Sequence, residues 1–444
     1  MNRIQSVARM VILSVSLASS WAWADSPRRD AETDHRCDGE SCAAVLRGLF
    51  AFFDRDLHGL DGNGRSCNDC HMVTEQFRLP PAAVEARFQK LLERRRHHPN
   101  ADDPLFRPID ADDFRNNGAQ ASDYSNLRQN GLIRITFALP SNMRLIDPVT
   151  KQVSDETTVD VWRKVPGVAD VKLSGPDGLN PWPRGPNATG GYQLDGRIDT
   201  LQEQALQALL NHAQIQDPPK QRMLDDLTAF ERVLFSNERV RALSDAISKG
   251  VVPLPDADPP LNALEQQGKV VFTRACAQCH GGPGQSTPQA PVVHFHDIGS
   301  QCPRAVDTVS PARFQFAACP PRLARNVRTY QITMPNGTTM TRASSDPGRA
   351  LLTGFVGGPP GQDDWNKFDV PGLRGLRFTA PYFHNNSANT LEEVVDHYVA
   401  FFDRVKANAL PGVAPPAVST DGVNFDRKPQ PEEVPALLAY LRKL

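Results

Sequence analysis

Past residue 24, the 444-residue chain has no run approaching 18 consecutive apolar residues, so nothing in the remainder reads as a membrane-spanning helix. Charge of one sign is missing as well. Forty-nine lysines and arginines stand against 51 acids, a net −2, and no basic excess marks a nucleic-acid surface. There is no second cysteine pair at the roughly 10–20-residue distance a structural zinc knot uses, and no complete twelve-residue calcium loop with its terminal glutamate. The stretch Asp61-Gly62-Asn63-Gly64 therefore reads as a turn. What the chain has in quantity is proline (38) and glycine (30), which predict long irregular connections around short helices, and a length that predicts two or three domains.

Two copies of one signature lie 209 positions apart, Cys67-Asn68-Asp69-Cys70-His71 and Cys276-Ala277-Gln278-Cys279-His280. Each reads as a covalent c-type haem site, with two thiols for the porphyrin vinyl groups and an adjacent imidazole, His71 or His280, as proximal iron ligand. A thioredoxin-like dithiol would not require the histidine. Aromatic residues make up 7% of the chain, a scarcity compatible with cores partly filled by porphyrin. The other four cysteines, Cys37, Cys42, Cys302 and Cys319, pair most simply as two local disulfides in an oxidising compartment. That compartment is expected from residues 1–24, where Arg3 and Arg9, an apolar run and Ala22-Trp23-Ala24 form a secretory signal. In a bacterial host the destination is the periplasm.

The two halves repeat one plan. Val45, Gly48, Leu49, Phe52 and Phe53 precede the first motif at helical spacing, and Leu264, Gly268, Val271 and Phe272 precede the second. Downstream, residues 193–205 align with 383–395. Both stretches have a turn, then Thr-Leu and a helix with acidic residues in its first turn. Alternation around Ile133 and Ile135 predicts a short strand, and with it a small β-ribbon in an insertion at about 100–192. Residues 291–348 form a second insertion, in which His294 and His296 are either a metal pair or ordinary surface residues. The run 94–98, Arg-Arg-Arg-His-His, reads as a solvated helix end.

The order CxxCH, DGR-x-x-TLxEQA, CxxCH, DPGR, VPGLRGL and APYFHNNSANTLEEVVDHY resembles the bacterial diheme cytochrome c peroxidase and MauG superfamily, over roughly residues 46–402. The resemblance implies a mainly α fold of two cytochrome c-like haem domains, here expected at 25–250 and 251–444. It implies two covalently bound haem c groups, often with a bound calcium ion, and often a homodimer. In the family the N-terminal haem is peroxidatic and the C-terminal haem relays electrons. Matched to that pattern, Glu203 is the distal acid/base and Gln193 its polar neighbour, although a glutamate at a helix start also suits a solvent-facing position.

The sixth ligand of the second haem is open, because Phe383 stands where many relatives have methionine. Met340 is the leading candidate, with Met334, His384 and Tyr382 beside it. Trp162 or Trp182 is a candidate bridge between the haems. The implied activity is reduction of hydrogen peroxide with electrons from a small periplasmic cytochrome c or cupredoxin. The alternatives are a MauG-like oxidase acting on a protein substrate and a non-enzymatic diheme electron carrier.

Overall fold

A computed structural model describes residues 36–111, 123–178, 190–289, 292–303, 317–357, 363–407, 418–419 and 421–444. Residues 1–24, expected as a secretory signal, and Trp182 lie outside the described residues. The architecture is mainly α, with small sheets. Seven helices matter for the sites: α1 (Cys42–Phe53), α2 (Pro81–His97), α3 (Leu201–Asn211), α4 (Gln221–Arg232), α5 (Ala263–Ala275), α6 (Leu391–Ala407) and α7 (Val434–Leu441). None of the described helices is long and apolar enough to cross a membrane.

The helix preceding each CxxCH motif crosses a later helix at a glycine. A Cβ on Gly48 of α1 would stand 1.9 Å from the Asp226 carbonyl oxygen of α4, and one on Gly268 of α5 the same 1.9 Å from that of Ala436 in α7. Both helix-interior glycines give up about 0.5–1 kcal/mol of helix preference relative to alanine and in return let two backbones touch. The next contact repeats too, with Phe230 Cβ and Tyr440 Cβ each at 2.8 Å. Start signals are local: Asn262 and Glu265 cap α5 reciprocally, at 3.0 and 2.8 Å.

The duplicated turn is equally exact in its bonds. Tyr192 bridges Ile198 and Tyr382 bridges Ala388; Gln193 and Phe383 both take positive φ, at 71° and 68°. Thr200 Oγ1 accepts from Glu203 N, and Thr390 Oγ1 from Glu393 N, each at 3.2 Å, which starts α3 and α6. The sequence repeat is thus a structural repeat.

The expected ribbon is present: β1 (Leu132–Ala138) pairs antiparallel with β3 (Thr158–Lys164). Between them β2 (Met143–Ile146) joins β4 (Arg328–Thr333), which pairs with β5 (Thr339–Ser344). This three-stranded sheet is built from both insertions, so residues far apart in sequence share the core of Met143, Val161, Tyr330, Ile332 and Trp365.

Two further links join the halves. Lys164 N donates to His384 O at 2.7 Å and Asp369 N to Leu194 O at 2.9 Å, so the segment before each Val-Pro-Gly binds the duplicated turn of the other half. Beside them Arg163, 1% exposed, bonds Asp346 at 2.6 and 2.9 Å and Asp195 at 2.5 Å, and Arg197 closes on Asp195 at 2.6 and 2.8 Å. The DGR and DPGR motifs meet here, with two cations matched to two carboxylates. Both expected disulfides form, Cys37–Cys42 and Cys302–Cys319. Asp61-Gly62-Asn63-Gly64, expected as a turn, is irregular backbone just after the turn Leu57–Leu60, and is tied across the fold by Asn63 N to Ala213 O at 2.7 Å.

Candidate haem sites

Each CxxCH motif lines its own cavity, and the second cavity, about 350 Å³, is larger than the first, about 130 Å³. Burial pushes all four motif thiols up to about 12 and both motif imidazoles down to about 4. The imidazoles are therefore neutral at ordinary pH, as an iron ligand must be. His71 Nδ1 lies 3.2 Å from Phe77 O, and His280 Nδ1 lies 3.3 Å from Gln285 O and 3.1 Å from Pro371 O. A carbonyl only accepts, so Nδ1 carries the proton and Nε2 keeps its lone pair for a metal. Paired cysteines, a ligand imidazole and largely apolar walls fit a covalent haem at both places. No group of three or more His, Cys, Asp or Glu that could hold another metal occurs among the described residues, and His294 and His296 turn instead to Asp369 at 3.5 Å and Asp421 at 3.9 Å.

Besides His71, the first cavity is lined by Gln193 from the duplicated turn and Gln204 from α3. Glu203 does not line it. Thr200 caps the helix at Glu203, whose side chain is exposed, the solvent-facing position its place at a helix start also suits. The acid that lines this cavity is Glu231 on α4, buried at 6% exposure. Burial first, then the charge of Asp177, pushes its carboxyl up to about 8, so it holds a proton at neutral pH. The other two ring ligands on this wall are engaged: the Tyr192 hydroxyl bonds Asp177, and the His212 ring faces Asp110 at 3.1 Å.

The second cavity differs. Met340, expected as its sixth ligand, is not on its wall: it pairs with Ile332 across the β4–β5 hairpin and packs with Met334 against the insertion core. The two methionines follow His280 by a suitable number of residues, but strand pairing carries both elsewhere. Among the described residues no methionine lines this cavity. Tyr382 and His384 do, and so does Tyr398, which the sequence reading passed over. His384 stacks on Phe368 at 3.9 Å and meets Ser300 Oγ at 3.2 Å. Burial pushes the Tyr398 phenol up, and Tyr398 packs with the attachment cysteines Cys276 and Cys279 against the core of Phe401 and Phe402. A sequence signal existed: Val394, Val395, Tyr398, Phe401 and Phe402 of α6 all line the cavity, at the i, i+1, i+4, i+7, i+8 spacing of one helical face.

Lys164, Pro166, Gly167 and Leu194 line both cavities and form their shared partition. Trp162 is not in it, since it packs with Leu132, Cys302 and Leu323. The partition is aliphatic and polar.

No family model matches the chain. A cytochrome-c peroxidase, IdrP2, of Denitromonas iodatirespirans is 32% identical over 141 residues, 31% of this chain and 32% of its own length. A second, IdrP1, of Pseudomonas sp. strain SCT is 29% identical over 143 residues, 31% of either chain. The aligned stretch thus spans about a third of these curated relatives. The solved diheme peroxidase BthA of Burkholderia thailandensis E264 superposes over 91% of this chain and 86% of its own, at 14% identity and a TM-score of 0.43, a distance at which no residue role carries over. Over the aligned third the chain is similar in sequence to two cytochrome-c peroxidases, and it carries two CxxCH motifs.

Proposed function

We propose that this is a periplasmic diheme peroxidase, reducing hydrogen peroxide at the first haem with electrons that enter through the second. The observation that supports it most is the inequality of two cavities built on one plan. Haem would supply the redox chemistry, with His71 and His280 as proximal ligands and Cys67, Cys70, Cys276 and Cys279 as attachment points. Around the first, Gln193 and Gln204 offer amide groups to a bound peroxide, while Tyr192 and His212 are tied to carboxylates and leave that face open. Proton transfer between the peroxide oxygens needs an acid/base group within hydrogen-bond reach. Glu203 is assigned that role by its place in the DGR-x-x-TLxEQA motif, and Glu231 competes for it by position and by its retained proton.

Around the second, Tyr382, His384 and Tyr398 are the groups able to close the sixth position. The domain division near residue 250, a calcium ion and a homodimer belong to the same reading. Two formed disulfides suit an oxidising, exported setting, and the electron donor would be a small cytochrome c or cupredoxin.

A MauG-like oxidase acting on a protein substrate is favoured by one observation, the absence of methionine from the described wall of the second cavity. Methionine raises a haem potential; a phenolate or imidazole would leave the second haem easier to oxidise and able to share an oxidising equivalent.

Stopped-flow reaction of the holoprotein with peroxide tests the assignment. Glu231→Gln is expected to slow peroxide consumption by about 10²–10⁴-fold, the usual worth of general acid–base catalysis, with haem content unchanged. If Glu203→Gln does so and Glu231→Gln does not, the role returns to Glu203. No reaction of wild type with peroxide at all contradicts the enzyme reading.

A further inference from the structure

Arg78 belongs to the first half, seven residues beyond His71, yet it lines the second cavity. Its backbone is held in the His71 loop, where Met72 N donates to Arg78 O at 3.2 Å, next to the Phe77 carbonyl that anchors the His71 ring. Its side chain passes Gly167, whose Cβ, were there one, would sit 3.6 Å from Nε. The guanidinium Nη1 is buried with no hydrogen-bond partner, and Arg78 makes no ion pair among the described residues. A buried, unpaired guanidinium is costly unless something anionic meets it.

The nearby groups do not meet that need. Asp170 and Tyr382 attract the guanidinium without bonding it, and burial still pulls it down to about 10. Burial pushes the Asp170 carboxyl up, as it does that of Asp369, and neither makes an ion pair or hydrogen bond with Arg78 among the described residues. Arg374, the other arginine on the wall, is already satisfied by Asp258 at 2.8 Å. Lys164 is a second basic group without a carboxylate: burial first, then the Arg78 charge, pull its amine down to about 7, and an anion beside it would restore its full charge. Its Nζ donates only to the carbonyls of Thr379 and Pro381, at 2.9 and 2.7 Å, which leaves one ammonium hydrogen uncommitted.

We propose that Arg78 and Lys164 form a carboxylate-binding site in the second cavity, and that its carboxylate is a propionate of the second haem, held across the boundary between the halves by a residue of the first haem's own loop. The inference rests on the two-haem reading. Arginine suits the task because its planar fork matches a carboxylate with two parallel bonds. Arg78 is here a positioning residue, and it would tie the charge on the second haem to the loop that orients His71.

The test is spectroelectrochemical titration of the purified holoprotein after mass spectrometry has confirmed two covalent haems. Removing a positive charge beside the porphyrin favours the ferric state. Arg78→Gln is expected to shift the ferric-to-ferrous ratio of the second haem about tenfold at a fixed potential, about 59 mV for one electron, with a smaller shift at the first haem and near-full recovery in Arg78→Lys. Should Arg78→Gln fail to fold, the propionate-bending bands in the resonance Raman spectra of wild type and Arg78→Lys give the readout, and identical bands count against the site.

An unchanged second-haem midpoint with both haems present overturns the proposal and leaves the two-haem reading standing, as does a shift confined to the first haem. Protein without covalent haem overturns both. A wild-type midpoint that moves with added acetate keeps the carboxylate site and overturns the propionate as its source.

Discussion

The two haem-binding halves differ less in backbone than in what the same backbone carries. Gly48 and Gly268 make the same crossing, with Asp226 facing one and Ala436 the other, and by that register Glu231 of α4 stands where Leu441 of α7 stands. Both line their cavities. Gln193 and Phe383 share a left-handed turn. One half thus places an amide and a protonated acid beside its motif, and the other places an aliphatic and a phenylalanine, then brings Tyr398 up from α6. A duplicated scaffold supplies both motif cavities, and a few differences at matched positions make their walls unequal.

The comparison can be broken most heavily at what the halves share. Arg163→Leu leaves buried Asp346 unpaired and Asp195 with only Arg197. Breaking such a buried network costs about 3–5 kcal/mol, so a single unfolding transition measured calorimetrically should fall sharply in temperature. A loss below about 1 kcal/mol would mean that Arg163 does not hold the halves together.

One half at a time is reached through its glycine. Gly48→Ala should cost about 1–3 kcal/mol or more by overpacking and perturb the first haem's spectrum alone. Gly268→Ala should do the same to the second, and paired optical and stability measurements tell the two apart.

Tyr398→Phe sharpens the contrast without much loss of stability. If the phenol closes the second haem, the low-spin signature of that haem changes while the first is untouched; an unaltered spectrum returns the ligand to His384 or Tyr382.

The last contrast is a pH dependence in the first half. The folded pKa of Glu231 is raised to about 8 from an unfolded value near 4.3. Its contribution to stability is therefore full below about pH 4 and is lost as pH rises toward 8. Glu231→Gln should narrow that loss, gaining in melting temperature over wild type between about pH 5 and 8, and a gap independent of pH would contradict the retained proton.

Much of this was legible in the sequence because it depends on neighbours in the chain. The CxxCH motifs, both short-range disulfides, the strand around Ile133 and Ile135 and the repeated Thr-Leu helix starts are set by local chemistry. What escaped is set by packing across the fold. Counting residues from His280 pointed to Met340, but residues 328–344 are committed to a hairpin in the insertion sheet. Trp162 precedes the partition by two residues, yet its side chain packs in a different core, with Leu132, Cys302 and Leu323. Glu231 looked like any charged residue of an amphipathic helix, although the buried Leu224, Leu227 and Phe230 put it on the apolar face. Arg78 gave no signal at all, since its partner cavity is built by residues about 200 positions away.

The central claim is that the two haem sites are unequal, the first open and the second closed by a protein ligand. The most direct measurement is the EPR spectrum of the oxidised protein carrying two covalent haems, before and after one equivalent of hydrogen peroxide. The account predicts one high-spin ferric signal that disappears on adding peroxide, beside one low-spin signal that Tyr398→Phe alters. Two low-spin signals, both indifferent to peroxide, would contradict it and leave an electron carrier.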